Sequence, residues 1–317
     1  MTASQQGTDR WHISVVIPVY NSQDTLKPLA EQLLTELRAL SNKYEIIFID
    51  DASTDNSWTV LRELRAQYGD SIRIVRLSVN SGQHSALLCG FTFVSGDVVI
   101  TMDDDLQNPP HEIGKLLKAL TCGYDLAIGA YRHKQHHMAR NVAGALIDAL
   151  QRRIFGLPSD FQLTSFRAIR RPIVTEVCKM NAAFPYVTSM LLLNTARCTN
   201  VEVAHCPRAV GRSNYNLARS LRLAMNLIFW YSSLPLQIVA VFCGLSLLVS
   251  LMLGCWAVAR AIFLGSPVPG WASTLAAIAF SSSVSQLSFL IIAVYVSRLQ
   301  RLLTQTRASF TIGEIDV

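Results

Sequence analysis

The sequence predicts an α/β chain in two parts: a Rossmann-like domain with a mostly parallel sheet, followed by two C-terminal membrane-crossing helices. Three observations carry that prediction. Short β-branched apolar runs alternate with amphipathic helical patterns through the first third of the chain. Carboxylates gather directly after two of those runs, at Asp50-Asp51 and at Asp103-Asp104-Asp105. From Leu223 to Ser297, Arg260 is the only charged residue, a composition suited to lipid.

The elements follow in order. Ile13 to Pro18 reads as a buried strand, and Tyr20-Asn21 as the loop after it. Leu26, Leu29, Leu33, Leu37 and Leu40 have the spacing of an amphipathic helix over Asp24 to Leu40. Tyr44 to Ile49 is a second strand ending in Asp50-Asp51. Ser53-Thr54-Asp55 then supplies capping residues for a helix through Gln67. Ile72 to Leu77 is a third strand, Gly82 to Val94 a helix, and Val98 to Ile100 a fourth strand leading into Asp103. In doubly wound sheets ligands bind beyond the carboxyl ends of the strands, so both aspartate groups line one crevice. A less regular stretch, Tyr124 to Arg212, holds a strand from Asp125 to Ile128 and a helix from Met138 to Phe155.

Residues 96–110 (Gly-Asp-Val-Val-Ile-Thr-Met-Asp-Asp-Asp-Leu-Gln-Asn-Pro-Pro) carry the chemistry. Pro109 and Pro110 stop regular continuation. On an extended backbone Asp103 and Asp105 converge while Asp104 faces away. Two converging carboxylates suit a hard divalent cation, Mg²⁺ or Mn²⁺, with substrate phosphates filling the remaining positions. The competing reading, a solvated acidic turn, leaves unexplained why three like charges gather beside a buried strand.

Leu234 to Ala259 and Ala272 to Ser297 are charge-free and long enough to cross a bilayer with some tilt. Arginines flank the pair on both outer sides, at Arg208, Arg212, Arg219 and Arg222 and at Arg298, Arg301 and Arg307. The connector Leu264 to Trp271 has none, and Arg260 at the outer end of the first span can snorkel, so both termini are placed in the cytoplasm. The resulting partition is 1–214 catalytic, 215–233 an interfacial helix, 234–297 the two spans and 298–317 a cytoplasmic tail. The net charge of +6 is modest and juxtamembrane, with no nucleic-acid reading motif. The seven cysteines are scattered without a C-x-x-C pair, as expected of reduced thiols. The polar stretch from Met1 to Arg10 lacks the apolar core of a signal peptide.

Four landmarks in this order resemble the family 2 inverting glycosyltransferases of GT-A fold, in their polyisoprenyl-phosphate branch. They are Val16-Ile17-Pro18-Val19-Tyr20-Asn21, Asp50-Asp51-Ala52-Ser53-Thr54-Asp55, Gly82-Gln83-His84-Ser85-Ala86 and Met102 to Pro110. The resemblance covers the whole chain and is nearest to the bacterial transferases that use undecaprenyl phosphate. It implies transfer of a sugar from a nucleotide-diphosphate donor, UDP-linked, to that lipid at the cytoplasmic face of the bacterial inner membrane. Pro18, Tyr20, Asn21, Asp50, Asp51, Gln83 and Asp103 would hold the nucleotide, with Gln83 and His84 alternatively serving only the helix start. Asp103, Asp105 and Gln107 would meet the cation, Mg²⁺ or Mn²⁺, and the diphosphate. Asp160 would assist or orient the acceptor, with Asp105 the second catalytic carboxylate.

Arg132 and Arg140 match positions that clamp the acceptor phosphate, a task suited to the paired donors of guanidinium. Arg208, Arg212 and Asn214 match a donor-diphosphate loop in which Asn214 replaces the usual Lys. Ala52 stands where Gly is usual and Asp104 where Ala is usual, at positions that need not touch ligand. Assembly into homo-oligomers is a family-level expectation. A processive polysaccharide synthase is disfavoured because no Gln-x-x-Arg-Trp segment occurs. A non-catalytic nucleotide-sugar-binding partner of a lipid flippase, and a dolichyl-phosphate-type mannosyltransferase using GDP-mannose, stay open as alternatives.

Overall fold

Among the described residues eight strands form one sheet, in which the strands, counted along the chain, lie side by side in the order seventh, fifth, sixth, fourth, first, second, third, eighth. The computed structural model describes residues 11–131, 152, 156–180, 185–204, 206, 271–304 and 310–316, with scattered helical positions between 241 and 252. The chain divides into two compact units, Met1–Leu221 with Thr306–Val317, and Arg222–Gln305.

The first unit begins with β1 (His12–Val19), α1 (Leu26–Leu40), β2 (Lys43–Asp50), α2 (Ser57–Tyr68), β3 (Ile72–Leu77), α3 (Gln83–Thr92) and β4 (Val98–Thr101). These strands pair in parallel, β1 with β2, β2 with β3 and β1 with β4. The central strands are buried on both faces, which is why they read as unbroken β-branched runs. α1 buries Leu26, Leu29, Leu33 and Leu37 completely, each contributing about 1.5–3 kcal/mol through removal from water. α3 approaches the sheet closely at Gly90, where a methyl group would lie 2.3 Å from Val16 Cγ1.

Beyond β4 the chain adds α4 (Ile113–Thr121), β5 (Leu126–Tyr131), β6 (Arg167–Arg170), α5 (Arg171–Lys179), α6 (Val187–Asn194) and β7 (Cys198–Val203). β6 runs antiparallel between β4 and β5, and β7 is parallel to β5. The parallel sheet is therefore interrupted at β6. The order turns at β1, with β2 on one side and β4 on the other. This is the topological switch point where a ligand crevice forms.

The C-terminal segment, expected from the sequence to be a cytoplasmic tail, contributes a strand. β8 (Ile312–Asp316) pairs antiparallel with β3 and covers that edge of the sheet. In the second unit, α7 (Trp271–Thr304) contains the second predicted span. Among the described residues no helix is long and apolar enough to cross a membrane. The predicted helix Met138 to Phe155, all of it but Arg152, lies outside the described residues, as does most of the first span.

Candidate active site

Three loops at the carboxyl ends of β1, β2 and β4 meet the segment leading into α3 around a cavity of about 810 Å³. Its lining is Pro18, Val19, Tyr20, Asp51, Asn80, Gly82, Gln83, Asp103, Asp104 and Asp105. Of the predicted nucleotide residues, Pro18, Tyr20, Asp51, Gln83 and Asp103 are thus brought together. Tyr20 is 46% exposed, leaving its ring free to meet a planar base.

Each rim loop has one non-glycine residue in the left-handed region: Asn21 (φ 54°), Ala52 (φ 55°) and Leu106 (φ 62°). Asparagine tolerates this conformation, whereas alanine and leucine are strained in it. Strain of this kind is characteristically held where a loop must present functional groups.

Two predicted nucleotide residues do not face the cavity. Asp50 is fully buried behind the rim, paired with Arg76 Nε at 3.1 Å and accepting the Ser53 backbone N–H. Arg76 also stacks over Trp58, with its guanidinium carbon 5.6 Å from the ring centroid. Burial raises the Asp50 pKa against these partners. The Asn21 side-chain oxygen accepts the N–H and hydroxyl of Thr54, which ties the first rim loop to the second. Asp51 faces the cavity and accepts the N–H groups of Ser81 and Gly82 at 2.7 and 2.8 Å, shaping the entry to α3. Burial raises its pKa too.

The three consecutive aspartates lie beyond the end of β4, all line the cavity, and differ in their partners. Asp103 accepts hydrogen bonds from Gln83 Nε2 at 2.6 Å and from Ser165 Oγ. Its pKa is raised, first by desolvation and further by the Asp105 charge, against the Ser165 bond. Asp105 accepts the Gln107 N–H at 3.1 Å. Asp104, expected to face away, lines the cavity as well and accepts the Tyr20 N–H at 3.2 Å and the Ser22 hydroxyl. Although its surface stays partly open to the cavity, desolvation lifts its pKa to about 6 against those two bonds.

Asp103 and Asp105 supply hard carboxylate oxygens to one cavity floor, the donor type that Mg²⁺ or Mn²⁺ takes. Among the described residues no group of three or more His, Cys, Asp or Glu forms a complete cage. Gln107 does not line the cavity; it contributes its backbone N–H to Asp105 and its carbonyl to the Cys206 N–H.

Sequence reading missed Ser165 and Arg167. The antiparallel pairing Thr101↔Arg167, continued two residues, sets Ser165 opposite Asp103. Arg167 is 3% exposed and donates to Thr188 Oγ1 at 2.7 Å and to the Thr164 carbonyl. Their signal lay in the polar segment Asp160 to Arg167, which mixes hydroxyl, acidic and basic side chains. Asp160 itself is exposed on a turn and lines a separate cavity of about 730 Å³ with Leu157, Phe161, Asn194 and Asn200. It is not among the residues around the aspartate pair. His84 packs edge-on against Tyr186 at 4.5 Å, with Nδ1 buried and unpartnered. Burial, then the Arg167 charge, lowers its pKa to about 3, so its ring is neutral and belongs to the packing of α3. Arg132, Arg140, Arg208, Arg212 and Asn214 lie outside the described residues.

Comparisons with known proteins agree with this geometry. Residues 14–178 match the protein family described as Glycosyl transferase family 2. The chain is 34% identical over 273 residues to the undecaprenyl-phosphate 4-deoxy-4-formamido-L-arabinose transferase of Serratia proteamaculans, covering 85% of this chain and 83% of that protein. The enzyme of the same name from Klebsiella pneumoniae is 33% identical over 261 residues, 82% of this chain and 79% of its own length. Among solved structures, glucosyl-3-phosphoglycerate synthase from Mycobacterium tuberculosis, in complex with Mn²⁺, uridine diphosphate and glucosyl-3-phosphoglycerate, superposes with a TM-score of 0.51. It is 20% identical, over 71% of this chain and 80% of that one, and shares the fold. With a family match over more than half its length and relatives aligned over most of it, the chain belongs to glycosyl transferase family 2 and is a glycosyltransferase of GT-A fold.

Proposed function

We propose that this enzyme moves a sugar from a nucleoside-diphosphate sugar, UDP-linked, to undecaprenyl phosphate with inversion at the anomeric carbon, at the cytoplasmic face of the bacterial inner membrane. The observation that carries the reading is the shared cavity of Tyr20, Asp51, Asp103 and Asp105 at the sheet's switch point. It offers a base platform and a diphosphate site in one crevice. The acceptor is supported by the names of the relatives aligned over more than four-fifths of the chain. The UDP and divalent-cation assignment is supported by the contents of a structure sharing the fold.

Tyr20 stacks on the base, and the amino end of α3 borders the diphosphate. Asp103 and Asp105 would hold Mg²⁺ or Mn²⁺, which when bound neutralises charge on the departing diphosphate. Gln83 and Ser165 keep the Asp103 carboxylate oriented toward the cavity floor. A lipid phosphate oxygen forms the new bond to the anomeric carbon as the bond to the diphosphate oxygen breaks on the opposite face. The nucleoside diphosphate leaves with that electron pair. The attacking oxygen is already anionic near neutral pH, so no strong general base is required. Arg132 and Arg140 are assigned to the acceptor phosphate, and Arg208, Arg212 and Asn214 to the donor diphosphate, on the match of their sequence positions. Asp160 is assigned to orienting the acceptor outside the donor cavity.

Membrane anchoring runs through 215–233 and the spans 234–259 and 272–297, and the second of these spans is supported by Ile278, Phe280, Leu287, Phe289, Leu290 and Val296, which α7 leaves exposed. The test is transfer of radiolabelled sugar from a panel of UDP- and GDP-sugars to undecaprenyl phosphate in detergent, with and without EDTA. Label should enter the lipid fraction, vanish with EDTA, and fall at least about a hundredfold in Asp105→Asn, the scale of losing one electrostatic contact in an active site. Nucleotide binding without transfer from any donor sinks the catalytic reading. Transfer from GDP-mannose alone sinks the UDP assignment.

A further inference from the structure

The middle carboxylate of the triplet does work that neither flanking one does. Asp104 lines the same cavity as Asp103 and Asp105, and a single oxygen, Oδ2, receives both the Tyr20 N–H at 3.2 Å and the Ser22 hydroxyl. Those residues form the loop after β1 that presents the Tyr20 ring to the cavity. The other side of the same loop is sewn to the β2–α2 connection. Asn21 N–H donates to Ser53 Oγ at 3.0 Å, Ser22 N–H to Ser57 Oγ at 2.8 Å, and Asn56 N–H to Gln23 Oε1 at 3.0 Å. Left-handed backbone at Asn21 and Leu106 brackets the Asp104 contact on both loops.

The peptide units on either side of Asp104 carry Asp103 and Asp105, so a shift of that backbone moves all three carboxylates together. The cation-bearing loop and the base-bearing loop are therefore joined through one side chain. Alanine at this position would have no oxygen with which to make that joint.

We propose that Asp104 is a positioning residue that fixes Tyr20 against the donor's base and couples base binding to cation binding at Asp103 and Asp105. This rests on the nucleotide-sugar reading above. Because both bonds use Oδ2, Asp104→Asn retains an acceptor in the same place, whereas Asp104→Ala removes it. Ser22→Ala breaks half of the contact without touching the triplet.

The experiment has two arms on the full-length protein in detergent. In the first, hydrogen–deuterium exchange of the nucleotide-free protein in EDTA follows the peptide covering 18–25. Asp104→Ala should speed exchange there about tenfold, Ser22→Ala less, and Asp104→Asn within about twofold of wild type, on the scale of one or two local hydrogen bonds. In the second, calorimetry measures UDP and GDP affinity in EDTA and again with Mn²⁺. For the nucleotide that binds, Asp104→Ala should weaken affinity in EDTA about tenfold, with Asp104→Asn restoring most of it. The gain in affinity on adding Mn²⁺ should also shrink in Asp104→Ala, since coupling is reciprocal between two sites. The Ser22→Ala and Asp104→Ala effects should be non-additive in the double variant.

Unchanged exchange at 18–25 in both alanine variants overturns the joint. Faster exchange with unchanged nucleotide affinity and unchanged Mn²⁺ gain overturns the positioning role. If wild type binds neither UDP nor GDP under either condition, the donor reading falls, and the exchange arm still decides whether Asp104 holds the loop.

Discussion

Four aspartates around the crevice are held with raised pKa values, by burial first in each case: Asp50, Asp51, Asp103 and Asp104. A carboxyl whose folded pKa exceeds its unfolded value binds more protons in the native state. Its stabilising contribution is full below the unfolded pKa, near 4, and is lost as pH rises through the folded value. For Asp104 that window runs from about 4 to about 6. His84 acts in the opposite sense, since its lowered pKa disfavours the fold as pH drops below its unfolded value. The prediction is therefore placed on a difference. In EDTA, the melting temperature of Asp104→Asn minus that of wild type should climb between pH 4.5 and 7, because only wild type must ionise a desolvated carboxyl there. A difference that stays flat would mean that Asp104 titrates near its ordinary value. Adding Mn²⁺ should stabilise wild type at pH 7 more than Asp105→Asn by roughly 1–3 kcal/mol, following the linkage between ligand binding and unfolding; equal stabilisation would remove Asp105 from the cation site.

At the scale of elements, α3 is the part that the site can least do without. It carries Gln83 at its amino end, and its last turn rests directly on β1 and β2 through Gly90. A side chain there meets Val16 and Ile49 at 2.3 and 3.1 Å, so the helix or the strands must shift. Gly90→Ala should cost about 1–3 kcal/mol, the scale of overpacking a core. That corresponds to a melting temperature lower by roughly 3–10 °C in a domain of this size. Donor affinity should fall with it, as the amino end of α3 moves with the helix. An unchanged melting temperature would show that the interface yields more easily than its geometry implies. β8 raises a second element-scale expectation. Truncation after Arg307 uncovers the β3 edge, whose free N–H and C=O groups then promote aggregation measurable by light scattering.

For the whole molecule, the connectivity constrains topology. The chain leaves the catalytic unit near Leu221 and rejoins it from Thr306, where β8 enters the catalytic sheet. If the intervening unit spans a bilayer, it must cross an even number of times, whatever the flanking arginines suggest. Tags at the two termini should therefore both be protease-accessible in inverted membrane vesicles and both protected in intact spheroplasts. One accessible and one protected tag would exclude the hairpin arrangement.

The sequence alone determined the βα alternation, the placement of Asp51, Asp103 and Asp105 at strand ends, and the family. These depend on local periodicity and on short motifs whose residues are neighbours along the chain. Asp50 shows where that reach ends. It sits beside Asp51 in sequence, but strand alternation and the pairing with Arg76 turn it into the core. Gln107 follows the same rule, being near Asp105 in the chain and absent from the cavity wall. Only the tertiary structure decided that Ser165 steadies Asp103, that Asp160 lies in another cavity, that Asp104 grips the Tyr20 loop, and that the tail closes the sheet edge. Each of those is a contact across dozens to hundreds of residues, set by antiparallel register or loop closure. Such contacts arise from packing the whole sheet at once and leave no periodic trace in any one segment.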